Sequence, residues 1–223
     1  MARACVSLSH FPAMNYQPED CLVHVVDDDA GLRRSLRFLL DSVGWKVQLH
    51  ASSEEFLAVA VPPTQPCCLL LDIRMPAMSG LELQQVLRER GLSFPILFMT
   101  GHADVSMAVQ AMKSGAADFI EKPFKDQMVL DAVAAAIRRS AEALDQAGRR
   151  EQAQAALNVL SPREREVARL VALGQPNKQI AAELGISEKT VHIHRQHVME
   201  KAGVSSAAEL ARLMLRADPA ALG

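Results

Sequence analysis

Between residues 21 and 139 the apolar positions follow two periods in alternation. "LVHVV" at 22–26 is a short apolar run, which predicts a buried strand. Leu32, Leu36, Leu39, Leu40 and Val43 then recur three and four residues apart, the spacing of one helix face. "WKVQLH" alternates apolar and polar, and "SSEEFLAV" opens with serine and carboxylates, the start signals of a helix. The same alternation continues with "CCLLL" then "GLELQQVLRER", "PILFM" then "DVSMAVQAMKSG", and "ADFI" then "DQMVLDAVAAAIRR". Five strand–helix units predict an α/β domain: a doubly wound, five-stranded parallel sheet with helices on both faces.

The pattern changes twice more. Residues 140–157 are rich in Ala and Gln with scattered charges and little apolar face, which predicts a linker, helical in part. From 158 to 223 every apolar stretch has the helical period and no strand signal returns. This predicts a second, all-α domain of four helices. Residues 1–20 carry neither pattern and are expected to form a disordered tail, with Met14 as an alternative start. They lack the apolar core of a signal peptide.

Composition narrows the picture only slightly. Hydrophobic residues are 49% of the 223, so both domains can bury a core. No apolar run reaches the ~18 residues of a membrane span, so no membrane partner is expected. The net charge of -2 favours neither nucleic acid nor membrane. Residues 158–223 hold nine basic and seven acidic side chains, so this part is the more basic. The four cysteines show no metal-ligand spacing, which fits a reduced, cytoplasmic protein.

The chemistry lies where the strands end. In an open parallel sheet, ligands bind beyond the carboxyl ends of the strands. Asp27 and Asp28 follow the first strand, Asp72 the second apolar run, Thr100 the third, and Lys122 and Pro123 the last. Three carboxylates on one rim repel each other unless a cation joins them. A hard ion such as Mg²⁺ takes oxygen ligands and favours a site shared with phosphate. Lysine and threonine supply a charge and a hydroxyl donor for phosphate oxygens. Asp29 lies outside this set and reads as the N-cap of the first helix. His24 and His102 are not expected to ligate metal.

"VVDDD", "LLLDIRMPAMSG", "MTGH" and "EKPF", in this order and spacing, resemble the receiver domains of response regulators over residues 21–139. The resemblance implies that Asp72 is the phosphoacceptor, charged by a sensor histidine kinase. It implies direct Mg²⁺ ligation by Asp28, Asp72 and the backbone carbonyl of Arg74, with Asp27 acting through water. Thr100 and Lys122 would bind phosphoryl oxygens, and Phe119 matches the switch aromatic that works with Thr100. The only chemistry implied is transfer to, and hydrolysis from, the protein's own aspartate, so no separate enzyme activity is expected.

In the second domain, "NKQIAAEL", "GIS" and the helix starting near Glu188 make a short helix, a tight turn and a longer helix. With "LSPRE" and "KTVHIH", this resembles the DNA-binding domain of the NarL/FixJ (LuxR-type) group over residues 158–216. The longer helix would enter the major groove of double-stranded DNA. Lys189, His192, Ile193 and Gln196 share one face of it, while Val191, Val198 and Ala202 share the other. Gln pairs with adenine and Ile touches a thymine methyl. Lys178, Arg195 and Lys201 are candidate phosphate contacts. The family usually carries Lys or Arg where His192 stands. Together the domains imply a two-component transcription regulator that dimerises on phosphorylation and binds a palindromic site, with RNA polymerase a further candidate partner. A phosphate sink without DNA output is argued against by the second domain, and a phosphate-independent regulator by the complete acidic set.

Overall fold

The computed structural model describes residues 16–101 and 115–223. His102 and residues 104–114 of the expected helix therefore lie outside the described residues, as do residues 1–15 of the expected tail; Pro18–Asp20, expected to be disordered, form a 3-10 helix instead. The chain divides into two compact units between Leu144 and Asp145.

In the first unit the strands are β1 (Leu22–Val26), β2 (Lys46–His50), β3 (Cys67–Asp72), β4 (Ile96–Thr100) and β5 (Asp118–Glu121). They pair in parallel in the order β2-β1-β3-β4-β5, so strand order reverses between β1 and β3. The helices between them are α1 (Ala30–Asp41), α2 (Ser53–Val59) and α3 (Gly80–Glu89). A strand sends alternate side chains to opposite faces, and the core splits accordingly. Val23, Val25, Leu70 and Met99 pack with Leu36 and Leu40 of α1. Val26, Leu69, Leu71 and Phe98 pack with Phe56 of α2 and with Leu83 and Leu87 of α3. Asp29 caps α1 as expected: its Oδ1 accepts from the backbone N–H groups of Gly31 and Leu32, at 2.7 and 3.1 Å.

One helix, α4, runs unbroken from Asp126 to Asn158. The stretch expected to be a partly helical linker is helical throughout. Ala, Gln, Glu and Arg are strong helix formers, and Arg149 pairs with Asp145 one turn earlier at 2.7 Å. Nor does the stretch lack an apolar face. Ala153 is buried, and Leu157 packs with the second unit's core. Arg150 and Gln154 also donate to the carbonyl of Ala217, at 3.1 and 3.3 Å.

The rest of the second unit is α5 (Pro162–Ala172), α6 (Asn177–Leu184), α7 (Glu188–Ala202) and α8 (Ala207–Ala217). Serine caps open three of them: Ser161 for α5, Ser187 for α7 and Ser206 for α8. Helix α6 ends at Gly185, whose left-handed backbone (φ 65°) starts the turn into α7. Only glycine adopts that conformation freely. Val167, Leu170, Ile180, Val191, Val198 and Leu210 form one core.

Candidate functional site

The parallel sheet brings the chemical residues to one rim. Asp72 is the last residue of β3 and Thr100 the last of β4, while Asp27 and Lys122 directly follow β1 and β5. Asp72 is in register with Met99, one residue before Thr100, and Thr100 is in register with Glu121, one residue before Lys122. One carboxylate oxygen from each of Asp27, Asp28 and Asp72 lies within 4.8 Å of the others. Asp27 is fully buried, Asp28 is exposed, and Asp72 is 9% exposed.

Lys122 is the counter-charge. Its Nζ lies 2.9 Å from Asp27 Oδ2 and 3.2 Å from Asp72 Oδ1. The other oxygen of Asp27 accepts the Asp29 backbone N–H at 2.8 Å, and the Asp27 carbonyl accepts from the Arg33 guanidinium. Burial raises the Asp72 pKa above the usual carboxylate range and the Asp27 charge adds to it. Lys122 and the Arg74 backbone N–H oppose that rise without cancelling it. Burial alone would lower the Lys122 pKa, but its bonds to Asp27 and the charge of Asp72 outweigh burial and raise it. Among the described residues the site thus holds three carboxylates against one lysine.

Two neighbours complete the rim. Thr100 is 4% exposed at the end of β4, and its backbone carbonyl accepts from Lys122 N–H at 2.6 Å. Phe119 lies on β5 beside Phe98 and is 45% exposed. The Lys122–Pro123 peptide is cis. Gly80 carries a role that the motif alone does not announce. A Cβ there would lie 2.3 Å from the carbonyl oxygen of Asp72. Its N–H donates to the Ile73 carbonyl at 3.0 Å. Only a residue without a side chain lets α3 start this close to the Asp72 backbone.

In the second unit, α7 presents Lys189, His192, Ile193 and Gln196 to the exterior and buries Val191, Val198 and Ala202. Lys178 is exposed on α6. Arg195 is half-buried and donates from Nη1 to Asn177 Oδ1 at 3.0 Å, tying α7 to the start of α6. Lys201 places its Nζ 2.8 Å from both carboxylate oxygens of Glu164 on α5.

Fold and site together define a class: a receiver domain joined to a helix-turn-helix domain, hence a response regulator that controls transcription. The family model described as a response regulator receiver domain matches residues 23–134. The model described as bacterial regulatory proteins, luxR family, matches residues 158–214. Among similar proteins, the transcriptional regulatory protein FixJ of Azorhizobium caulinodans is 46% identical over 203 residues, covering 91% of this chain and 96% of that one. Nodulation protein W of Bradyrhizobium diazoefficiens is 46% identical over 192 residues, covering 86% and 84%. The solved structure of the response regulator StyR matches with a TM-score of 0.78 and 43% identity, covering 87% of this chain and 98% of that one. Full-length FixJ from B. japonicum gives a TM-score of 0.54 and 41% identity, covering 88% and 96%. The chain belongs to the FixJ-like two-component response regulators, which join a receiver to a LuxR-type DNA-binding domain. Membership makes it a regulator that takes its signal from a histidine kinase and binds DNA. Among the described residues no helix is long and apolar enough to cross a membrane.

Proposed function

We propose that Asp72 is the residue that carries the signal. The observation behind this reading is the rim itself: three carboxylate oxygens within 4.8 Å, with Lys122 joining Asp27 and Asp72, at the reversal point of the sheet. An Asp72 oxygen attacks the phosphorus of the kinase's phosphohistidine. A P–O bond forms, the P–N bond breaks, and imidazole leaves. Water later cleaves the acyl phosphate and returns the free carboxylate.

The donor set suits Mg²⁺, since every side chain in it offers oxygen and the net charge is negative. Asp28, Asp72 and the Arg74 carbonyl would hold the ion directly. Asp27, fully buried and with its oxygens accepting from the Asp29 N–H and Lys122, would act through water. When bound, the ion neutralises charge on the transferring phosphoryl oxygens. Lys122 then exchanges a carboxylate for a phosphoryl oxygen, and the Thr100 hydroxyl donates to another.

This new contact of Thr100 is read out at Phe119, whose exposed ring has apolar surface to bury. The change promotes a homodimer, whose two α7 helices read a palindromic duplex in the cytoplasm, with RNA polymerase a further partner of the bound dimer. Lys189, His192, Ile193 and Gln196 face the bases, while Lys178 and Arg195 contact phosphate. Asp72→Asn tests the core of this. Labelling by acetyl phosphate with Mg²⁺ is expected to vanish, because the nucleophilic oxygen is replaced by an amide. Labelling kept in that variant would move the phosphoacceptor elsewhere.

A further inference from the structure

Lys201 has the charge and exposure of a DNA contact, yet its ammonium is already engaged. Both oxygens of Glu164 lie 2.8 Å from its Nζ. Glu164 is only 4% exposed, and one of its oxygens also accepts the Ser161 backbone N–H at 2.8 Å. Ser161 in return accepts from the Glu164 N–H at 3.3 Å, closing a capping box at the start of α5. One carboxylate therefore fixes the α5 N-terminus and the last turn of α7 together.

We propose that Glu164 is a positioning residue for DNA recognition: it anchors the far end of α7 through Lys201 and withholds that lysine from DNA phosphate. Charge-assisted hydrogen bonds of this length are among the strong ones. Removing the cation would leave a buried carboxylate without its partner, a large penalty in measured cases. A phosphate in solvent-exposed surroundings offers Lys201 a weaker, screened interaction. The geometry along the helix agrees. Lys201 lies twelve residues beyond Lys189, roughly 18 Å along the axis at 1.5 Å per residue. Helices of this kind read bases with their N-terminal residues. A lysine in the last turn also complements the negative end of the helix dipole. The base-reading end and the anchored end are thus separated along one rigid element. His197 lies near the same carboxylate, its Nδ1 3.9 Å from Glu164 Oε1, which keeps the cluster at the anchored end.

This inference rests on the DNA-binding reading above, and the salt dependence of binding separates the two. Full-length chain is titrated with a duplex of random sequence at several salt concentrations and fixed Mg²⁺. Each phosphate contact by a cation adds about 0.9 to the slope of log affinity against log salt. Lys178→Met, at an exposed phosphate contact, is expected to lower that slope by about 0.9, and Lys201→Met to leave it unchanged. Glu164→Gln is expected to raise it by up to about 0.9, because the freed Lys201 joins the contacts. Combining Glu164→Gln with Lys201→Met should restore the wild-type slope. A loss of slope in Lys201→Met as large as in Lys178→Met would overturn the proposal. Should either variant lose helicity, Lys201→Gln, which keeps a donor for Glu164 but no charge, gives the same reading. A wild-type chain whose binding shows no salt dependence would instead overturn the DNA-contact reading, and this inference with it.

Discussion

In the receiver unit three carboxylates face one lysine; in the DNA-binding unit one buried carboxylate faces one lysine. The first arrangement leaves charge over. Asp72 titrates high because burial and Asp27 work against its charge, and Lys122 serves two masters at 2.9 and 3.2 Å. The second arrangement is settled. Lys201, then the Ser161 N–H, hold the Glu164 carboxyl down to about 2 against the effect of burial. Unbalanced charge marks the place where a ligand completes the structure, and balanced charge marks architecture. The receiver adds a third solution. His24 and His50 stay buried by staying neutral, with His24 Nδ1 3.2 Å from His50 Nε2 and both rings against Phe56.

The largest effect is expected where the unbalanced site meets the backbone. In Gly80→Ala the new methyl lies 2.3 Å from the Asp72 carbonyl, so β3 or α3 must move. A displacement near 1 Å at a reacting group lowers rates about a hundredfold. Acetyl phosphate labelling should fall by about that factor, while helicity of the second unit is unchanged. Wild-type labelling in Gly80→Ala would show that the site tolerates displacement. The contrast between a tuned receiver site and a robust architectural pair would then fail.

Acid should separate the units next. Burial, then the neighbouring His50, lowers the His24 pKa from 6.5 to about 4. Burial also lowers the pKa of His50, partly offset by Glu55. The unfolded chain binds these protons first, so the histidines' contribution is complete above about 6.5 and is lost as pH falls toward 4. For His24 this amounts to roughly 3 kcal/mol. Glu164 behaves differently: its contribution is present above 4.5 and is lost only as pH falls toward 2. Between pH 6.5 and 4.5 only the receiver should weaken through these groups. Trp45, the single tryptophan, is buried in the receiver and reports its unfolding by fluorescence. Replacing both histidines by Leu should flatten the stability profile over that range, and an unaltered profile would remove the histidine pair as its cause.

How much of this was legible in the sequence follows the range of each interaction. Asp27, Asp28, Asp72, Thr100 and Lys122 could be placed because each sits where a period-two or fully apolar run stops. A parallel sheet gathers such ends on one edge. The Asp29 cap spans two or three residues and was equally readable. What escaped is long-range. Lys201 reads as a free cation until α5 is packed beside it, 37 residues away in sequence. His24 pairs with a residue 26 positions away. Their shared face does follow from strand alternation and the β1–β2 register, once that register is known. The stretch at 140–157 reads as helical only in part because its apolar face is thin, while the helix there is continuous. Alanine buries little area yet packs closely, and Ala153 is 2% exposed.

The smallest predicted effect concerns α4, the helix that neither half of the comparison owns. Gly148 sits near its middle, and a Cβ there would meet nothing within 4 Å. No packing requirement for glycine is visible at this position. Glycine inside a helix is less stable than alanine by about 1 kcal/mol, because it loses more backbone freedom on folding. Gly148→Ala should therefore stabilise the helix locally, by about 1 kcal/mol. Amide hydrogen exchange in α4 measures this directly. Protection of amides around residue 148 should rise about fivefold, the equivalent of 1 kcal/mol, if they exchange by local opening. The receiver site and the Glu164–Lys201 pair should keep their own exchange rates, since substitutions this far from shared partners act independently. Unchanged protection at 144–152 would mean that packing, not propensity, sets helix stability there. Protection that rose in both units instead would show that the helix couples them energetically, and the two could no longer be compared as separate solutions to burying charge.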